Sequence, residues 1–362
     1  MKHLDIRLFI LMTCSLAIFT SCEKDSNPTL SVKPYTVPTR YSFSNASYVK
    51  STQRVKMTVE MDSYLKLANM GLTTVALDQT KVNNMFNNTG NPFADVTLNT
   101  SGINVKDVTS DASLFKSFAD SVLLYNTGTL ATIGTGGYLP RNTGKIIVGP
   151  RGLEYGQAFL KGMMGALYFK EAVNILTTVK TLSAADTITA QAKWDEAFGY
   201  LGVPVNYDSS IAYANTDPAR PLLWGGYLAE RGKEIQAGGT IFSAFLKGRA
   251  AIGGYDVTVR DAQVDIILAK WEQLAARAAW VYTTMPTAST SVGVYATQLH
   301  ALGEGSGFIA SLKYRPANSK LSAANYTIID AIMHKDFYVL INQTGFADLV
   351  TVQTILKTTY GL

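Results

Sequence analysis

The chain has 362 residues, 47% hydrophobic and 16% charged, with a formal charge of +5. That composition suits one large core or two smaller ones, and the lack of a Lys/Arg cluster excludes nucleic acid as a partner. Two cysteines and three histidines leave no disulfide framework and little for tight zinc or haem ligation.

At the N-terminus Lys2 and Arg7 precede the apolar run Leu8–Phe19 and then Thr20-Ser21-Cys22. This pattern predicts a secretory signal over residues 1–21, too short to span a bilayer and cut before a cysteine that takes a lipid. The alternative is an ordinary signal peptide followed by an incidental cysteine. Cys14 leaves with the signal and lipid consumes Cys22, so the mature chain has no free thiolate. Glu23, rather than aspartate, follows the cysteine, which favours the outer membrane, on its periplasmic or its surface side. Residues 22–50, rich in Ser, Pro, Asn and Tyr, read as a tether.

Helical spacing dominates thereafter, with helices predicted over about 52–69, 73–88, 153–177, 186–200 and 240–252. Ser110-Asp111 is placed to cap a helix bearing Leu114, Phe118, Val122 and Tyr125. The stretch 126–152 is glycine-rich and reads as a loop with a short hairpin over Tyr138–Val148. The clearest stripe runs Val264, Ile267, Leu268, Trp271, Leu274, Ala275, Ala278, Val281, Tyr282 and Met285, and Pro286 ends it. A further stripe joins Ile328, Ile329, Ile332, Val339 and Leu340, and a terminal helix carries Leu349, Val352 and Leu356. Ala158–Gly162 recurs as Ala244–Gly248, and Lys193-Trp194-Asp195 is echoed by Lys270-Trp271-Glu272. Duplication of a helix pair and coincidence both account for this. The expected fold is all-α, with one helical bundle over 51–215 and a second over 216–362.

Four stretches, Gly152–Leu167, Trp194–Pro204, Phe245–Ile252 and His300–Ile309, together resemble a family of uncharacterised bacterial lipoproteins related to the imelysin group. The resemblance runs from about residue 40 to the end. It implies two helical bundles, an envelope setting, and a link to acquisition of iron or another metal, bare or chelated. Imelysin-like proteins carry a Gly-x-His-x-x-Glu motif associated with metal. The counterpart here is His300-Ala-Leu-Gly-Glu304, one residue longer and without the preceding glycine. Spacings of three and four both keep the two side chains on one helix face.

Several polar residues compete for a site. His300 and Glu304 are the candidate metal ligands, against the plainer reading of a hydrogen-bonded pair on one helix face. Gly303, Gly305 and Gly307 interleave with them, each costing a helix about 1 kcal/mol relative to alanine. They predict either a helix break or a close approach. Glu154, Gln157 and Lys161 line one face of the helix starting near 153, where an early negative charge also suits the helix dipole. Asp195 and Glu196 point about 100° apart on a helix, so at most one joins a given site. Arg249, between small residues, calls for an acidic partner if buried, and Glu154 or Glu304 would serve. The expected site is an interior cluster of Glu154, Gln157, Arg249, His300 and Glu304, or else a structural network of the same residues. The first functional reading is a lipid-anchored envelope protein that binds iron, another divalent metal or a chelate. The second is a metal-dependent peptidase with Glu304 as general base, which the absence of a second histidine nearby disfavours. A third is a glycan- or peptide-binding surface lipoprotein. Phosphate-loop, His-Glu-x-x-His, Gly-x-Ser-x-Gly and EF-hand patterns are missing.

Overall fold

In the computed structural model residues 30–362 are described, so the expected signal, Cys22 and the start of the tether lie outside the described residues. The first helix, α1 (Val49–Leu65), buries Val55, Met57, Met61 and Leu65 on one face. Two short helices follow, α2 (Gln79–Asn87) and α3 (Val96–Asn99), each capped by an aspartate side chain, Asp78 and Asp95. Helix α4 (Ala112–Tyr125) departs from expectation at its start. Asp111 has φ +54° and caps nothing, because its carboxylate accepts from Lys313 Nζ at 2.7 Å. The predicted hairpin is present as β1 (Gly137–Arg141) antiparallel to β2 (Gly144–Val148), the only sheet among the described residues.

The helix predicted near 153 forms as α5 (Tyr155–Met163), a π-helical segment Met164–Phe169, and α6 (Lys170–Thr181). Here the Met164 carbonyl accepts from Trp224 Nε1 at 2.7 Å and the Ala166 carbonyl accepts from Ser110 N at 3.0 Å. The widened turn thus turns helix backbone into docking points for other elements. Then come α7 (Thr187–Tyr200), α8 (Trp224–Glu230), α9 (Ala237–Gly253) and α10 (Val257–Thr284). The chain ends with α11 (Tyr295–Ser311), α12 (Ala323–Met333), α13 (Phe337–Asn342) and α14 (Ala347–Tyr360).

The fold is all-α, and α10 is its axis. The predicted stripe from Val264 to Tyr282 is buried along α10, apart from the half-buried Val281, against α9, α11, α14 and α6. The two expected bundles do not stand side by side. Helix α5 packs on α11, α7 on α9 and α6 on α10, so residues from both halves share one hydrophobic core. The aromatic residues explain the interleaving. Trp194 of α7 presses on Gly248 of α9, while Phe169 contacts Trp224 and Trp271 across the boundary. The two copies of the repeated segment also meet different partners, since Gly162 faces the Phe115 ring and Gly248 faces the Trp194 indole. The stripe read through 328–340 is broken at the Asp336 cap into α12 and α13, leaving Ile328 and Val339 exposed.

Candidate functional site

The site is set by how closely α11 approaches α5. Helix α11 is unbroken, and its glycines are contact points instead of a break. A Cβ on Gly303 would stand 3.1 Å from Glu154 Cβ, and one on Gly307 would stand 2.8 Å from the Gly162 backbone nitrogen. Gly305 faces Tyr282 of α10 on the other side. Glycine at 303 and 307, one turn apart, therefore lets the α5 backbone lie against α11. Gly152, at φ +79°, supplies the turn that brings the chain from the hairpin into α5 and sets Glu154 at the helix N-cap.

This contact places His300 between two carboxylates. Its Nδ1 donates to Glu154 Oε2 at 2.7 Å, and its Nε2 lies 3.2 Å from Glu304 Oε1. Burial alone would lower the imidazole pKa, but the hydrogen bonds to Glu154 and Glu304 outweigh it and hold the value at about 9. The ring is therefore an imidazolium at neutral pH, hydrogen-bonded through Nδ1 to Glu154 and ion-paired through Nε2 with Glu304. Glu304 Oε2 accepts from Tyr227 Oη at 2.7 Å, with Lys161 Nζ at 3.7 Å. Burial pushes the Glu304 carboxyl up, yet the Lys161 charge, His300 and Tyr227 together hold it well below the usual carboxylate range. The Tyr227 phenol is raised by burial and by Glu304. Its oxygen lies 3.3 Å from Tyr282 Oη, which donates to Glu230 at 2.9 Å and accepts from Arg231 at 2.9 Å. A continuous polar chain thus runs from Glu154 to Arg231 through α11, α8 and α10.

Of the five residues expected to cluster, Glu154, His300 and Glu304 meet directly. Gln157 lies beside them, but its side-chain oxygen, like Glu154 Oε1, is buried without a partner among the described residues. Both residues border a cavity of about 10 Å³, roughly the volume one water requires. Arg249 is not part of the cluster, which corrects the expectation that Glu154 or Glu304 would partner it. It is buried on α9 against α7, where Nε donates to Asp195 Oδ1 at 2.8 Å. Tyr41 Oη and Ser47 N complete that carboxylate's bonds, so Asp195 was the acidic partner all along. His334 is on the surface, with Nδ1 2.8 Å from the Asp330 carbonyl.

The arrangement bears on metal. Among the described residues no group of three or more His, Cys, Asp or Glu side chains is placed to hold a metal ion. The reason is geometric. Glu154 and Glu304 address opposite nitrogens of one protonated ring, so neither nitrogen offers a lone pair. Glu154 and Glu304 are also balanced in charge by His300 and Lys161.

Sequence reasoning missed Tyr227 and α8, and took Tyr282 as core. Tyr227 opens onto the neighbouring feature, a pocket of about 340 Å³ between α1, α5, α8 and the loop 201–223. Lys161, Tyr227 and Glu230 belong to both the network and the pocket wall. Leu223, at the N-cap of α8 on that wall, holds φ +47°, a conformation costly for a branched side chain and common where a binding site fixes the backbone.

Together these features define an all-α protein with a buried, self-neutralised histidine–carboxylate network beneath a small polar pocket. Residues 37–359 match the family described as a domain of unknown function, DUF4856, and the chain belongs to that family. No curated protein and no solved structure matches it.

Proposed function

We propose that this is a lipid-anchored protein of the cell envelope, tethered at the outer membrane through Cys22, which binds a small ligand in the pocket above the His300 network. The signal-like start and the cysteine support the anchor. No helix among the described residues is long and apolar enough to cross a membrane. The resemblance to the imelysin group supports a ligand drawn from metal acquisition. The observation that carries the reading is the shared wall. The charge network, buried at Glu154 and Glu304, continues through Tyr227 and Glu230 into a pocket within the about 300–1,000 Å³ range of ligand sites.

Of the ligands that the resemblance implies, a chelated metal fits better than a bare ion. Both imidazole nitrogens are engaged, and a cation would have to displace hydrogen bonds and approach Lys161. A peptidase role for Glu304 is disfavoured for a related reason: a carboxyl held far below its usual pKa is a weak general base. Calorimetric titration of the purified protein with iron(II), zinc and ferric citrate tests the ligand. Saturable binding of the chelate with no response to either bare ion is expected, and a stoichiometric bare-ion site would sink it. For the anchor, Cys22→Ser should move the protein from the membrane to the soluble fraction, and an unchanged distribution would count against it.

A further inference from the structure

We infer that the pocket binds a small organic anion, with the Lys161 ammonium as its anchor. This rests on the pocket being the ligand site. Lys161 is only 7% exposed, yet it lines the pocket. Its Nζ makes no hydrogen bond to a described residue. Glu304 Oε2 is 3.7 Å away and already accepts from Tyr227, and the Tyr227 ring lies below at 5.0 Å. A buried ammonium carries three donors, and placing it in a protein interior without acceptors is costly. An anion entering the pocket supplies them.

The remaining charges on the wall point the same way. Asp62 is held by Lys66 at 2.6 Å, and Glu230 by Arg231 at 3.0 Å, so both acids are neutralised locally. Arg220, exposed on the loop at the pocket wall, has no ion pair among the described residues. Two cations on the wall therefore keep free donors for a ligand: buried Lys161, whose only ionic partner is Glu304 at 3.7 Å, and exposed Arg220. Val59, Leu160 and Met164 provide apolar wall between polar ends, which suits a carbon-bearing carboxylate better than a bare inorganic ion. A charge-assisted bond from a partly desolvated lysine is among the stronger single polar contacts available.

The test is calorimetric titration of the purified full chain at neutral pH with citrate, inorganic phosphate, glucose and putrescine. Citrate should bind saturably, phosphate more weakly, and glucose and putrescine not at all. Lys161→Met should weaken citrate binding about tenfold or more, while Lys161→Arg keeps most of it. Two variants keep the test valid if Lys161→Met fails to fold. Arg220→Gln, on the surface, should weaken citrate about threefold. Gly226→Trp should abolish binding by filling the pocket, because a Cβ there meets only the Pro221 carbonyl at an ordinary 3.7 Å. Lack of saturable citrate binding up to about 1 mM overturns the proposal, as does equal binding by wild type and Lys161→Met. Phosphate bound as tightly as citrate overturns its organic part. Glucose or putrescine bound in place of citrate, and lost in Gly226→Trp, overturns the anion while the pocket reading stands. Citrate binding that survives Gly226→Trp overturns the pocket reading itself.

Discussion

Replacing His300 with alanine removes the single cation that lies between Glu154 and Glu304, and its consequence can be worked out in two independent ways. Glu154 is 1% exposed and Glu304 7%, so the substitution leaves a buried carboxylate without its partner, a change that costs about 3–5 kcal/mol. The imidazole gives a second route. A pKa of about 9 against an ordinary 6.5 corresponds to about 3 kcal/mol. The folded pKa lies above the unfolded one, so the stabilisation is complete below about pH 6.5 and is lost as pH rises through about 9. Urea unfolding followed by tryptophan fluorescence at several pH values measures both effects. Wild type should lose about 3 kcal/mol across that window, and His300→Ala should start lower by a similar amount and lack that loss. Adding Glu154→Gln to His300→Ala should recover part of the deficit by removing one stranded charge. A variant weakened by less than about 1 kcal/mol, or a wild type with no loss across the window, refutes a charged His300 shared by two carboxylates.

Other substitutions probe the frame around the network. Gly307→Ala should destabilise by about 1–3 kcal/mol and more than Gly303→Ala, since only the first drives a Cβ into backbone of α5; equal effects in urea unfolding would argue against the close approach. Arg249→Ala should cost about 3–5 kcal/mol by stranding Asp195, and the pair Arg249→Met with Asp195→Asn much less; a double mutant as damaged as the single would disprove that pairing. Glu304 has a depressed pKa, so its contribution is present above the ordinary carboxylate range and lost as pH falls well below it. Glu304→Gln should therefore flatten the acid limb of the stability profile, and an unchanged acid limb would contradict this.

Much of the helix framework was legible locally, because it rests on apolar spacing. The stripe ending at Pro286 became α10, and the hairpin over Tyr138–Val148 formed nearly as read. His300 and Glu304 were legible as a pair for the same reason, being one turn apart on one face. What local spacing cannot encode is which faces meet. Arg249 found Asp195 on α7 because Tyr41 and Ser47, near the start of the described chain, complete the same carboxylate. Tyr227 escaped notice because α8 is only seven residues long, follows an irregular loop, and begins at a left-handed Leu223 that no helix-start pattern predicts. Its partner Glu304 is 77 positions away. The glycines of α11 were readable as either a break or a contact, and only the packing of α5 decides between them.

The most direct test of the binding reading is a crystal structure of the protein grown with citrate. Citrate is expected in the pocket between α1, α5 and α8, with a carboxylate oxygen within hydrogen-bond reach of Lys161 Nζ and the His300 network unchanged. Citrate bound elsewhere on the chain, with the pocket empty, would contradict that reading.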